Sequence, residues 1–156
     1  MIDPQIIAIW NSFFNNKVKY ITIGGLAVNI YGYNRSTGDI DIYLEDSLEN
    51  RINLRNALLS INLGDFENIE TMQFIPGWTD ITLSFGLRLD IMTAVKGLEN
   101  KSFESLLADA TIVLMNETPV YFIDYENLIR AKKASNRLKD QLDIEELSKL
   151  RNSEEY

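Results

Sequence analysis

The stretch YITIGGLAVNIYGYNRSTGDIDIYL, residues 20–44, constrains the fold more than any other part of the chain. Val18 to Ile23 is an apolar run that reads as a buried strand, stopped by Gly24-Gly25. Leu26 to Tyr31 then reads as a short helix closing near Gly32. Asp39 to Leu44 alternates polar and apolar residues, the pattern of a half-buried strand. Strand, glycine turn, helix and second strand in quick succession point to a small sheet with helices laid on it.

The same stretch carries candidate chemistry. Backbone N–H groups at a helix N-terminus attract anions, and Gly24 and Gly25 have no Cβ to keep a phosphate away from them. A Gly-Gly turn alone is more often a tight connection that binds nothing. On the following strand side chains alternate, so Asp39 and Asp41 share one face while Ile40 and Ile42 enter the core. Two adjacent carboxylates repel, and a divalent cation is the usual remedy; two solvated acids on an edge strand are the plain alternative. Arg88-Leu89-Asp90-Ile91-Met92 repeats the alternation, with Leu89 and Ile91 inward and Asp90 on the other face. If the two strands are neighbours, three carboxylates converge. Two Mg²⁺ ions about 4 Å apart would then clamp a triphosphate for in-line displacement, with Asp90 nearest the nucleophile and the candidate base.

Composition removes the competing chemistries. The chain has no histidine and no cysteine, which excludes a Ser-His-Asp triad, histidine or thiolate zinc sites, and disulfides. With 46% hydrophobic residues it can build a core. No apolar run approaches the roughly 20 residues of a membrane span, and Met1-Ile2-Asp3-Pro4 lacks a basic signal region. These features fit a cytoplasmic protein with no membrane partner. A net charge of −8 should repel nucleic acid unless a local basic surface offsets it.

The remaining elements are read from caps and periodicity. Residues 3–15 form a helix capped by Asp3, with Trp10, Phe13 and Phe14 on its apolar face as core rather than as a base-stacking platform. Packing is also the expected role of Tyr31 and Tyr33. Ser47 caps a helix to about Ile61, and residues 63–78 resist assignment. Thr79 to Phe85 and Leu87 to Thr93 form two strands turning at Gly86, with Trp78, after Pro76-Gly77, in a loop over an acceptor pocket. A helix at 101–109, a strand at 111–115, another strand or an extended segment at 118–123, and helices from Asp124 to Ser135 and over 137–150 complete the chain. The fold class is α+β: one domain over 1–156, with a core of about 1–123 and a helical C-terminal part of about 124–156.

At Gly24-Gly25, with thirteen residues before Asp39-Ile40-Asp41 and a later Asp90, the sequence resembles the DNA polymerase β-like nucleotidyltransferase superfamily. The fuller pattern GGxAxxxxGxxRxTxDID, here Gly24, Gly25, Ala27, Gly32, Arg35, Thr37, Asp39, Ile40 and Asp41, is similar to a branch holding small antibiotic nucleotidyltransferases and AbiEii-like toxins. The segment LIRAKKASNRLKDQLDIEEL looks like the toxin-related branch at Lys133, Arg137, Lys139 and Asp140.

The resemblance implies a nucleotidyltransferase fold, a small mixed sheet with helices packed on it, followed by helices. It implies NMP transfer from an NTP donor to a hydroxyl on RNA (tRNA included), a protein or a small molecule, with pyrophosphate released. It implies two Mg²⁺ ions, or Mn²⁺, on Asp39, Asp41 and Asp90. A toxin with an antitoxin partner and a homodimer completing the acceptor pocket are further expectations. Arg35, in the loop with Thr37, either contacts a phosphate or pairs with an acid of the site. Lys133 and Arg137, one turn apart on one face, either contact nucleotide or form a solvated face. The competing functions are a catalytically silent binding module of the same fold and a metal-dependent phosphodiesterase.

Overall fold

Residues 2–74 and 78–154 are described by the structure, a computed structural model of the chain. Among the described residues six strands form one mixed sheet: β1 (Tyr20–Ile23), β2 (Asp39–Leu44), β3 (Trp78–Thr82), β4 (Arg88–Met92), β5 (Thr111–Met115) and β6 (Thr118–Phe122). Their order is β3-β4-β2-β1-β6-β5. β2 runs parallel to β4, and β1 parallel to β6; the other neighbours are antiparallel. The helices are α1 (Pro4–Asn15), α2 (Gly24–Ile30), α3 (Leu48–Ser60), α4 (Phe103–Asp109), α5 (Tyr125–Ser135) and α6 (Leu138–Glu154).

Local chemistry sets most boundaries. The Asp3 carboxylate accepts from Gln5 N at 2.8 Å, Ser47 Oγ from Asn50 N at 3.2 Å, and an Asp124 oxygen from Asn127 N at 3.1 Å, each capping a helix. Asn116 and Glu117 both have positive φ, 49° and 70°, which turns β5 and β6 into a tight hairpin. Gly86, at φ 82°, serves the β3–β4 turn. β1 ends before the glycine pair as expected, but α2 begins at Gly24 rather than at Leu26, so both glycines lie in its first turn.

One face of the sheet carries Ile40, Ile42, Leu89, Ile91 and Phe122, all essentially sealed from solvent. Each such side chain contributes about 1.5–3 kcal/mol of burial. α1 seals this face: the Trp10 ring meets Phe122 edge-on at 5.5 Å, and its indole Nε1 donates to Thr22 Oγ1 at 3.2 Å. Trp10 and Phe13 are core, but Phe14 is half exposed. Tyr31 is structural, its hydroxyl donating to Ile123 O at 2.7 Å. The segment after α3 is organised by Arg51, which donates to Ile69 O at 3.1 Å and lies 4.2 Å over the Phe74 ring. A 3₁₀ turn, Glu67–Glu70, sits inside it. Pro76 and Gly77 lie outside the described residues; the backbone of Trp78 opens β3. Among the described residues, no helix is long and apolar enough to cross a membrane.

Candidate active site

The opposite face of the sheet carries the carboxylates. β2 and β4 pair in the register Asp39↔Arg88 and Asp41↔Asp90, so alternation puts all four side chains on one face and stacks Asp41 against Asp90. β3 adds Asp80 opposite Asp90, an acid that sequence reasoning passed over although it lies on the strand expected from Thr79, whose hairpin pairing with Asp90's strand was the available signal. Asp39 and Asp41 are half-buried and Asp90 is buried. A cavity of about 360 Å³ opens above them, floored by Gly24 and Gly25 and walled by Arg35, Thr37, Arg88, Lys132, Arg137 and Lys139.

The glycines are there for space. Gly24 has φ 67°, and a Cβ built on it would strike the Asp41 carboxylate, whose Cγ would be 2.7 Å away. A Cβ on Gly25 would lie 2.9 Å from Thr37 Oγ1 and 3.4 Å from Arg35 Nη1. Thr37 in turn donates to Asp39 O at 3.2 Å, tying the loop to the start of β2. The N-cap of α2 is Ile23, whose side chain offers no acceptor to the first-turn amides.

Charge is only partly balanced. Arg88 Nη2 donates to Asp39 Oδ2 at 2.8 Å, and its Nε lies 3.2 Å from Asp90 Oδ1. That nitrogen is not aligned for a hydrogen bond, and Asp90 Oδ1 is a buried oxygen without one. Asp41 holds its proton up to about 7, first through burial, then through its hydrogen bond to Asp90 and the charges of Asp90 and Asp39. Burial also raises Asp90. Thus Asp41 and Asp90 meet as expected, whereas Asp39 is drawn toward Arg88. As the side chains stand, no three acidic groups among the described residues enclose a point where an ion could sit.

The donor set nonetheless fits a hard divalent cation: carboxylate oxygens only, one of them orphaned, and a carboxyl pair that repels unless protonated. A pH prediction follows. The Asp41 value in the folded chain lies above the unfolded one, so the native state binds more proton between about pH 4 and 7. Stability of the metal-free protein should fall as pH rises through this window and level off above it. Asp65, whose hydrogen bond from Arg55 lowers its value, loses its contribution only below the window. Thermal melts in chelator should show a declining Tm from about pH 5 to 7, and any Tm gain from added Mg²⁺ should grow with pH, because a carboxyl must shed its proton before it can hold a cation. A chelated Tm that rises from pH 5 to 7 contradicts this assignment.

The basic wall differs from the sequence expectation in one respect. Asn136, at φ 50°, ends α5 and the chain restarts at Leu138. Lys133 and Arg137 therefore do not share a helix face; Lys133 is exposed and does not line the cavity, while Arg137 does. Lys132 takes the inward position, buried with Leu128 one turn earlier, a signal available in the apolar periodicity of α5. Arg35 does pair with an acid, but with Asp143 on α6 rather than with the carboxylates of β2 and β4: Nη2 donates to Oδ2 at 3.1 Å. Asp140, the acid matched by resemblance, accepts from Arg137 Nε at 2.8 Å and sits 3.4 Å from Lys132 Nζ.

No protein-family model matches the sequence, and a search of curated proteins finds no match. Solved structures do match. The chain is similar to the lincosamide antibiotic adenylyltransferase LnuA in its lincomycin-bound form, at 17% identity and a TM-score of 0.66, over 96% of this chain and 98% of that one. It is similar also to a protein of Thermotoga maritima, provisionally described as a nucleotidyltransferase, at 20% identity and a TM-score of 0.62, over 98% of this chain and 96% of that one. At these identities the likeness is one of architecture, and it spans both chains almost from end to end: the protein has the nucleotidyltransferase fold.

Proposed function

We propose that this chain is a metal-dependent nucleotidyltransferase that moves NMP from an NTP to a hydroxyl acceptor and releases pyrophosphate, all 156 residues acting as one domain. The observation that carries the reading is the Asp41–Asp90 pair across the β2–β4 register, set against a glycine that could not carry a Cβ there. Asp39, Asp41 and Asp90 would hold two Mg²⁺ ions, or Mn²⁺ in their place. Bound ions would neutralise the triphosphate and stabilise charge on the attacking and leaving oxygens.

The protein's own groups do the rest. Gly24 and Gly25 let the phosphates reach the uncapped amides of α2. Arg35, Lys132, Arg137 and Lys139 face the triphosphate from the cavity wall. Asp90, with a buried oxygen free of hydrogen bonds, accepts the proton of the incoming hydroxyl. Arg88 balances Asp39 and Asp90 until substrate arrives.

The end-to-end likeness to an enzyme of antibiotic adenylylation favours a small hydroxyl-bearing molecule as acceptor over RNA or a toxin's target. The net charge of −8 points the same way. Incubating the protein with each NTP, Mg²⁺ and separate panels of hydroxylated antibiotics and bulk tRNA should yield pyrophosphate and a small molecule heavier by one NMP. Labelled tRNA with unmodified antibiotics would move the acceptor to RNA. Nucleic-acid cleavage without pyrophosphate would replace transfer by phosphodiester hydrolysis.

A further inference from the structure

Behind the basic wall lies an ionic cluster larger than a binding surface requires. The Asp143 side chain is 1% exposed and touches two cations from different parts of the chain. Arg35, in the loop before β2, donates from Nη2 to Oδ2 at 3.1 Å and brings Nε to 2.9 Å from Oδ1, an ion-pair approach without a hydrogen bond. Lys132, on α5, places Nζ 2.8 Å from Oδ2. Asp140, equally buried, sits 3.4 Å from the same ammonium and is closed on its outer side by Arg137. Three cations thus surround two carboxylates, leaving one net positive charge at the cavity wall.

Geometry shows what the cluster holds in place. Arg35 Nη1, the nitrogen not turned toward Asp143, lies 3.4 Å from where a Gly25 Cβ would be, directly over the cavity floor. Lys132 donates to Asp140 and is ion-paired with Asp143 while lining the same cavity. Among the described residues Asp143 is the sole ion-pair partner of Arg35. One carboxylate on the C-terminal helix therefore sets both the orientation of a guanidinium and the reach of an ammonium, although it does not itself line the cavity.

We propose that Asp143 is a positioning residue of the triphosphate site: it fixes Arg35 and Lys132 as a preset pair of phosphate donors and makes that pair depend on the docking of α6. The inference rests on the nucleotidyltransferase reading of the cavity, and it separates from a purely electrostatic role by sign. Removing a negative charge near an anion site should tighten phosphate binding if charge alone matters. Removing the brace should loosen it, because both donors must then be ordered on binding.

The experiment is calorimetric binding of inorganic tripolyphosphate and of ATP with Mg²⁺ to the full chain, as wild type, Asp143→Asn, Arg35→Lys and the double variant. Thermal melts confirm that each is folded. Arg35→Lys keeps the charge but loses the planar guanidinium that lies side-on to Asp143 while Nη1 faces the cavity floor; being partly exposed, it also serves if Asp143→Asn does not fold. Each single variant should bind both ligands at least tenfold more weakly, and the double variant no more weakly than the worse single one, since the two residues act as one unit. Unchanged or tighter binding by folded Asp143→Asn, or unchanged binding by folded Arg35→Lys, overturns the proposal. Wild type that binds neither ligand removes the nucleotidyltransferase reading itself, a different result from variants that match a wild type that binds.

Discussion

Asp41→Asn should abolish transfer and at the same time stabilise the metal-free protein. Asn keeps the shape but gives up an anionic ligand, so turnover should fall by roughly 10³-fold or more, about 4 kcal/mol of lost transition-state stabilisation. The stability effect has the opposite sign because of the environment of the native carboxyl. Burial, the bond to Asp90 and the charges of Asp90 and Asp39 hold its pKa at about 7, so above that pH the native chain carries a reluctant anion. An amide is always neutral and can still donate to Asp90. At about pH 8, in chelator, the variant should gain on the order of 1–2 kcal/mol, a rise in Tm of roughly 2–4 °C per kcal/mol for a domain of this size. At about pH 5 the gain should vanish, since the native side chain is then protonated too. A variant less stable than wild type at pH 8 would mean that Asp41 is a structural acid and not a strained one.

Gly24→Ala should damage the site more than any other single methyl group added to the chain. Two penalties coincide. The backbone sits at φ 67°, where an L side chain costs about 1–2 kcal/mol. The new Cβ would also overlap the Asp41 carboxylate, and either the strand or the carboxylate must move. Moving Asp41 breaks its contact with Asp90, so nucleotide turnover should drop by roughly 10²-fold or more even in folded protein, in line with what ångström-scale misplacement costs. Gly25→Ala is the informative control. Its φ is not positive, and its Cβ would press on Thr37 and the end of the Arg35 side chain, which can give way. It should lose little stability and show its defect in triphosphate affinity. Equal stability losses for the two variants, measured by chemical denaturation, would contradict this account of Gly24.

What the sequence made legible was whatever local physics determines. Period-two alternation placed Asp39 and Asp41 on one face and Ile40 and Ile42 on the other, and β2 has the expected bounds, Asp39–Leu44. The caps at Asp3, Ser47 and Asp124 work as their residue types demand. What stayed hidden depends on distant partners or on single backbone angles. The break at Asn136 falls between the two helices expected over 124–135 and 137–150, yet the four-residue spacing of Lys133 and Arg137 reads across it as a shared face, which the left-handed turn at Asn136 removes. Asp143 meets a partner 108 positions away, and no periodicity encodes that. The run from 63 to 74 takes its shape from Arg51 donating to backbone carbonyls on it, which a scan for alternating hydrophobicity cannot see. Phe14 follows the apolar stripe of α1 yet stays half exposed.

The central claim is that the carboxylates and the glycine floor form one NTP site that works through a divalent cation. Its most direct test is calorimetric titration of each of the four NTPs into wild type and into Asp39→Asn/Asp41→Asn, with Mg²⁺ and with chelator. The account predicts binding by wild type that requires Mg²⁺, favours one base, and disappears in a double variant that remains folded. Binding that persists undiminished in chelator or in the folded double variant would contradict it.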